Sequence, residues 1–178
     1  MHETPADLDD LQAVLDRSYD RAGSHLRSII TPERRLSADQ VCARLRGMCL
    51  LSLATVTADG RPIAGPVDGL FYRGNFYFGS SHDSVRFRHI ADRPHVSATY
   101  LPGEYLGVTV HGFATPIDIK KEVGFRSYSL EVYVPRYGPE WEEFLDSGPV
   151  HARIDAHKMF TFYAPELEAR NAVRDSLN

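Results

Sequence analysis

The segment NFYFGSSHDSVRFRHIADRP, residues 75–94, passes from a short aromatic strand into a polar turn and then into a predicted helix. The aromatic run ends at Gly79, serines follow it, and Arg86 and Arg88 lie on one predicted helical turn. Hydroxyls, free N–H groups at a helix start and guanidinium groups are what an anionic ligand such as a phosphate requires. The segment therefore predicts an anion site, although a polar loop that caps a helix would contain the same residues.

The composition indicates one globular domain. The chain has 178 residues, which is enough for a substantial core. Hydrophobic residues make up 43% and charged residues 25%, and both values are ordinary for a globular protein. The net charge is −4 with no long block of one sign, which argues against general nucleic-acid binding. Any anion site must therefore be a local feature.

The cysteines and the N-terminus bear on the compartment. Cys42 and Cys49 are too few for a disulfide scaffold or a metal knuckle, and they fit buried thiols in a reducing cytoplasm. The acidic N-terminus lacks the basic and apolar regions of a signal peptide. No apolar run approaches the roughly 20 residues that a membrane-spanning helix needs. We expect a cytoplasmic protein with neither a membrane nor a nucleic acid as its partner.

Two helix starts are recognisable before residue 47. Thr4 with Asp7 forms one predicted capping box, and the helix that follows is expected to stop near Gly23. This helix is apolar along one stripe and charged outside, so we expect it to cover a sheet edge or a partner subunit. Ser37 begins the second capping box, and Gly47 is expected to end that helix in a left-handed conformation.

The middle of the chain predicts an antiparallel meander. Strands are expected over residues 48–57, 62–72 and 75–79, and the turn ADGR at 58–61 is typical of a hairpin. Pro66 inside the second strand indicates a sheet edge or a bulge. Three strands in this order favour an antiparallel sheet over alternating strands and helices.

The second half of the chain adds strands and helices to this sheet. Val85 and Ile90 of the helix at 83–90 are expected to face the core. Gly112 indicates a bulge or kink in a long strand, and Pro135 and Gly138 are expected to separate two helices. The predicted elements are strands 96–100, 105–119 and 152–162, helices 120–133 and 139–146, and a helix or frayed tail at 165–177.

The histidines suggest one weak candidate. His82, His89 and His95 have spacings that fit no standard zinc site, so no metal is predicted. His111, beside Gly112, is a candidate cofactor neighbour or proton donor. A strand histidine that faces solvent or bonds to a neighbouring side chain is the simpler explanation.

Three pieces of the sequence, taken in order, resemble a known family. They are LATVTADGRPIAGPV at 53–67, FYFGSSHDSVRFRHIADRPHVSATY at 76–100 and VTVHGFATPI at 108–117. This set is similar to the pyridoxamine 5′-phosphate oxidase-like FMN-binding split barrels. The resemblance implies a mainly β protein with a six-stranded antiparallel split β-barrel. We divide the chain into an N-terminal helical extension at 1–46, a flavin-binding barrel at 47–163 and a C-terminal tail at 164–178.

The resemblance also implies where a cofactor binds. The FMN phosphate would be held from Ser80, Ser81, Ser84 and Arg86, and the isoalloxazine would lie along the strand 65–70. The remaining predicted cofactor-binding residues are Gly65, Pro66, Val67, Asp68 and His111. In the family the cofactor lies between two subunits, so a homodimer is implied. No catalytic side chain stands out.

The sequence departs from the true oxidase at charged positions. That enzyme has an arginine where Gly65 stands, a lysine where Leu70 stands and a basic residue in place of Val85. We therefore expect an FMN-binding oxidoreductase that moves a hydride between flavin and a small organic substrate other than pyridoxamine phosphate. The alternatives are a coenzyme F-420-dependent reductase of the same fold, or a flavin- or haem-binding module without turnover. A dimer that has lost the cofactor site is a further possibility.

Overall fold

Six antiparallel strands form a closed barrel in the order β1-β2-β3-β6-β5-β4 in the computed structural model, which describes residues 2–175 and side chains up to residue 170. The predicted fold class is confirmed. The strands are β1 Met48–Val56, β2 Pro62–Tyr72, β3 Asn75–Ser80, β4 His95–Gly103, β5 Leu106–Ile117 and β6 Val150–Tyr163. The helices are α1 Pro5–Asp20, α2 Ser24–Ile29, α3 Ala38–Arg44, α4 Val85–Asp92, α5 Val123–Tyr137, α6 Trp141–Ser147 and α7 Pro165–Asp175, with a 3₁₀ turn at Pro32–Arg34.

Both predicted capping boxes are present. The Thr4 side chain accepts a hydrogen bond from Asp7 N, and the Asp7 carboxylate accepts one from Thr4 N. Ser37 and Gln40 make the same pair of bonds at the start of α3. The predicted end of α1 at Gly23 is wrong, because the helix ends at Asp20 and Gly23 instead precedes α2. The capping boxes therefore predicted where the helices begin, whereas the glycine did not predict where α1 ends.

Gly47 and Pro135 mark further differences at helix ends. Gly47 has a φ of +73°, as expected, but α3 already ends at Arg44, so the glycine leads into β1. Pro135 does not end α5, which continues to Tyr137. Because Pro135 lies in the last turn, its missing N–H removes only one bond of the helix.

The predicted bulge at Gly112 is confirmed by a register shift between His111 and Gly112 in the β5–β6 pair. A Cβ atom at Gly112 would lie only 2.3 Å from the backbone oxygen of Asp155. The bulge thus depends on a glycine, because β6 approaches too closely for any side chain.

The barrel has a free edge along the first half of β2. This strand pairs with β1 from Pro62 to Leu70, whereas its pairs with β3 are confined to Gly69–Tyr72. Residues 62–68 therefore have a strand on one side only. Pro66 lies in this part, where its missing N–H costs no ladder bond, so the predicted sheet edge is confirmed.

Helix α1 packs against β6 and shares the barrel core. Leu11 and Leu15 belong to the same buried cluster as the barrel interior. The Tyr19 hydroxyl donates to Thr161 O and accepts from Thr161 N, both at 2.9 Å. The helix that we expected to cover a sheet edge or a partner subunit thus contacts its own barrel.

Helices α5 and α6 pack on the outer face of β2 and β3. The second buried cluster joins Leu70 and Tyr77 of the barrel to Phe125, Tyr133 and Leu145 of the helices. An ion-pair network ties the two helices together, since Arg126 Nη2 lies 2.9 Å from Glu142 Oε1 and 2.8 Å from Asp146 Oδ2. This layer encloses the cavity of about 370 Å³ that is described below.

Both cysteines are free and buried, as expected, and burial raises the pKa of each thiol to about 12. Over the described residues, no helix is both long and apolar enough to cross a bilayer.

Candidate functional site

Arg86 is directed from α4 onto the free edge of β2. Helix α4 begins at Val85 because the Ser84 hydroxyl caps it by accepting a bond from Phe87 N. Arg86 Nη2 donates to Pro66 O at 2.9 Å, and Nη1 lies 3.5 Å from Ser80 Oγ. The side chain is partly buried, and this burial lowers the pKa of the guanidinium. No ion pair of the described residues includes Arg86, so its charge is not neutralised by a carboxylate.

A small cavity of about 160 Å³ lies beside this arginine. Gly65, Ser84 and Arg86 line it, together with neighbouring residues of β1 and β2. The N–H groups of Val85 and Arg86 are the first two of the helix and have no acceptor within it. A Cβ atom at Gly65 would lie 3.7 Å from Arg86 Nη2, which is an ordinary contact. Backbone donors, a hydroxyl and a guanidinium thus converge on one opening.

A carboxylate stands next to this opening. The Ser81 hydroxyl donates to the Asp83 carboxylate, and that bond is the main cause of the lowered pKa of Asp83. Asp83 is therefore ionised at neutral pH, but it is exposed and its field is weakened by water. The expectation that Val85 faces the core is wrong, because 49% of its surface is exposed, whereas Ile90 is buried as expected.

A second cavity of about 370 Å³ separates the barrel from α5 and α6. Asp68, Ser80 and Ser81 line its barrel side, so it adjoins the arginine site. We call it the aromatic pocket, after Tyr77, Phe125, Tyr133, Trp141 and Phe144, which line it together with His151. The Tyr77 and Phe125 rings are stacked with their centroids 4.1 Å apart, and the Trp141 and Phe144 centroids are 4.7 Å apart.

His151 lies in the wall of the aromatic pocket and is 8% exposed. Its Nδ1 atom is buried and has no hydrogen-bond partner among the described residues. Burial lowers the pKa of His151 to about 4, so the ring is neutral at pH 7. A Cβ atom at Gly79, its partner across the β3–β6 pair, would lie 2.9 Å from the imidazole. Gly79 is therefore needed to leave room for this ring.

No local pattern in the sequence marked His151, and Trp141 was only one of several aromatic residues that could line a flavin groove or belong to the core. The indole Nε1 of Trp141 is also buried without a partner in the described chain. A histidine that begins a strand and a tryptophan on a charged helix are individually unremarkable. Only the pairing of β3 with β6 and the packing of α6 bring the two residues to one cavity.

Val67 and His111 stand apart from the other predicted site residues. The side chain of Val67 is buried in the barrel core at 6% exposure, so only its backbone can face a ligand on the outer surface.

The ring of His111 contacts a neighbouring strand, since its Nδ1 atom lies 2.8 Å from Ser97 Oγ. It lines a separate cavity of about 590 Å³ with His157 and Lys158. Burial lowers the pKa of His111, and the electrostatic effect of these two neighbours lowers it further. Within one chain, His111 is not brought to the Arg86 site.

The remaining predicted residues form two adjoining groups. Gly65, Pro66, Ser80, Ser84 and Arg86 surround the small cavity or contact Arg86. Asp68 and Ser81 line the aromatic pocket, which Ser80 also reaches.

The histidines of the central segment show other contacts. His89 Nδ1 lies 2.9 Å from Thr55 Oγ1. In the part of the chain that the structure describes, no three His, Cys, Asp or Glu side chains are grouped as metal ligands.

Comparison with known proteins identifies the family of the barrel. Residues 38–160 match the family model for pyridoxamine 5′-phosphate oxidase. The chain belongs to this family. The match spans α3 and nearly all of the barrel, and it agrees with the resemblance seen in the sequence. No curated protein sequence matches the chain.

Solved structures of the same fold carry different descriptions. The conserved hypothetical protein Rv2991 of Mycobacterium tuberculosis matches with a TM-score of 0.63 and 17% identity, over 74% of this chain and 88% of that one. An FAD-binding protein of Mesorhizobium loti gives 0.55 and 20%, over 74% and 97%. HutZ, the haem storage protein of Vibrio cholerae, gives 0.53 and 19%, over 75% and 94%. At these identities the matches establish the common fold.

Proposed function

We propose that this member of the family is an FMN-binding oxidoreductase that moves a hydride between the flavin and a small organic substrate. The observation that carries the proposal is the position of Arg86. A partly buried guanidinium, which has no carboxylate partner among the described residues, lies between a hydroxyl and the free edge of β2. Burial removes water that would solvate the charged guanidinium, and an anion bound there would stabilise this charge in place of the water.

The phosphate would be held by Arg86, by the hydroxyls of Ser80 and Ser84 and by the first N–H groups of α4. Ser84 caps its helix through an acceptor lone pair, which leaves its O–H free to donate. Ser81 would have to turn away from Asp83 before it could take part. The site thus fits a single phosphate group.

The ring system would lie along residues 65–70 of β2. This part of the strand has a free edge, and its outer face carries Asp68 and Leu70, which also line the aromatic pocket. When bound, the flavin supplies the hydride chemistry, while the protein supplies orientation and a dry environment. The aromatic side chains around the pocket exclude water from that face. A second subunit would close the groove, so the homodimer is part of this proposal.

The test is titration of the purified protein with FMN and with riboflavin, which lacks the phosphate. Arg86→Ala should weaken FMN binding about 10- to 150-fold, the loss of roughly one charge-assisted hydrogen bond. Combining it with Ser80→Ala should weaken binding further. Arg88→Ala removes the same charge from an exposed position on the same helix and should change FMN affinity less than about threefold.

Titration with riboflavin shows whether Arg86→Ala removes a contact to the phosphate or damages the binding site in general. Its affinity should be the same in the wild type and in Arg86→Ala, since the missing group is the one that Arg86 would bind. Equal FMN affinity in the wild type and the double variant would exclude the phosphate site. Bleaching of bound flavin by NADH or NADPH, with reoxidation by a substrate, would distinguish an enzyme from a storage module. Parallel titrations with coenzyme F-420 and haem test the alternative cofactors.

A further inference from the structure

Two residues that line the aromatic pocket each have a buried polar atom without a partner in the described part of the chain. The two atoms are Nδ1 of His151 and Nε1 of Trp141. Buried polar groups in folded proteins are almost always hydrogen-bonded, and an orphan pair on one cavity wall calls for an explanation. Each ring forms part of the lining, but the two polar atoms themselves have almost no accessible surface, so each side chain must rotate before a molecule in the cavity can bond to it. The two orphans thus point to a ligand that forms hydrogen bonds.

The negative charge around the pocket disfavours anionic ligands. Among the described residues, Asp68 is the acidic side chain of the lining, and neither lysine nor arginine belongs to it. Helix α6 adds Glu142, Glu143 and Asp146 close by, and Arg126 neutralises this group only in part. An anion would enter a negative field with no cationic side chain in the described lining, because the neighbouring Arg86 donates to Pro66 O at the edge of β2 instead, and this costs free energy. The pocket therefore disfavours carboxylates and phosphates.

The two orphan atoms argue against a cation as well. Aromatic faces attract cations, but a quaternary ammonium group carries no acceptor for the indole N–H. His151 is neutral, so its imidazole offers one donor and one acceptor rather than two donors. An uncharged ligand with an acceptor, such as a carbonyl oxygen, would satisfy Trp141 and leave no buried charge.

We infer that the aromatic pocket binds an uncharged, planar aromatic molecule that accepts a hydrogen bond from Trp141 Nε1–H and forms a second one with His151. Stacked walls such as Tyr77 with Phe125 suit a flat ring, and the volume of about 370 Å³ admits a small bicyclic compound. The inference rests on the proposed function for one point only. Because Asp68 and Leu70 belong both to the pocket and to the strand assigned to the flavin, the bound molecule is placed beside that ring as its substrate.

The experiment uses 2-naphthamide and 2-naphthoate, which have the same shape but differ in charge. Calorimetric titration of the full chain without flavin should show binding of the amide, with the carboxylate at least about tenfold weaker. Trp141→Phe and His151→Phe retain an aromatic ring but lose the polar atom. Each should weaken amide binding about tenfold, the loss of roughly one hydrogen bond. His157→Gln, in the other cavity, is the matched control and should leave the affinity unchanged.

Thermal unfolding of each variant identifies any that fails to fold, and if one histidine variant does fail, the Trp141→Phe titration still decides. Equal or tighter binding of the carboxylate would overturn the inference, as would unchanged amide affinity in Trp141→Phe. The titration is repeated with saturating FMN, which should change the amide affinity less than about twofold. Displacement of the amide by FMN would mean that the pocket is the ring's own site. Failure of FMN to bind contradicts the proposed function alone, because the flavin-free titration does not depend on it.

Discussion

Helices pack on the barrel in two places, at the interface between α1 and β6 and above the pocket beneath α5 and α6. The two places differ in whether their buried polar groups have hydrogen-bond partners. At the α1 interface, Thr161 N donates to the Tyr19 hydroxyl and Met159 N donates to Ser18 Oγ, each at 2.9 Å. Leu36 N donates to Thr161 Oγ1 at the same distance. In the aromatic pocket, His151 Nδ1 and Trp141 Nε1 have no partner among the described residues.

This difference in hydrogen bonding distinguishes an interface that stabilises the fold from a surface that binds a ligand. A helix that serves stability gains most when every buried donor and acceptor is paired, as α1 achieves. A wall that leaves polar atoms unpaired loses stability, and such atoms are expected where a ligand completes the bonds. The three predictions that follow test this contrast through stability, from the largest expected effect to the smallest.

Truncation of the α1 interface should have the largest effect. Leu15 has no exposed surface, so Leu15→Ala should lower the free energy of unfolding by about 2–5 kcal/mol through lost burial and a residual cavity. Phe144→Ala, at the pocket, removes a side chain that is 47% exposed and should cost less than about 1.5 kcal/mol. Urea denaturation of both variants measures the difference. Equal losses would show that the two helical layers contribute alike to stability.

The buried histidine of the pocket should make stability depend on pH. The pKa of His151 falls from 6.5 to about 4 on folding, so the unfolded chain binds a proton that the folded protein resists. Stability from this residue is fully present above about pH 6.5 and is lost as the pH falls to 4, by about 3 kcal/mol in total. His151→Gln should lack this loss.

Denaturation at pH 7.5 and pH 4 therefore compares the wild type with His151→Gln, and subtraction removes the contribution of the carboxylates. The wild type should lose about 3 kcal/mol more than the variant. An identical pH dependence for the two proteins would mean that the imidazole is accessible to water.

Removal of a single hydroxyl should have the smallest effect and should differ between the two regions. Tyr19→Phe leaves Thr161 N without its acceptor and should cost about 1–3 kcal/mol. Tyr133 is equally buried, and its hydroxyl makes no hydrogen bond within the described chain, so Tyr133→Phe should change stability by less than about 0.5 kcal/mol. A similar cost for both substitutions, measured by urea denaturation, would contradict the contrast between the regions.

The parts of the fold that depend on neighbouring residues were predictable. The capping box of Thr4 and Asp7, the hairpin turn before Pro62 and the bulge at Gly112 each arise from interactions over a few residues or from one special backbone position. Helix ends were less predictable, because packing decides how far α5 continues beyond Pro135. The position of Arg86 in the first turn of α4 was also expected.

The arrangement of the site depends on contacts between distant segments. The bond from Arg86 to Pro66 joins residues 20 apart, and the bond from Tyr19 to Thr161 joins residues 142 apart. His151 and Gly79 meet because β3 pairs with β6, a register that neither strand specifies by itself. His111 was grouped with the other cofactor residues, yet β5 carries it to a different cavity.

The sequence by itself determined the meander of the first three strands and the polar segment at 75–94, because these follow from local pattern and turn chemistry, while its resemblance to a known family indicated the barrel. The tertiary structure decided that Arg86 reaches the free edge of β2 without a carboxylate partner among the described residues, and that His151 and Trp141 line one pocket. The physical reason is that burial and partnership are properties of segments that meet in space, and a side chain's neighbours along the chain do not fix them.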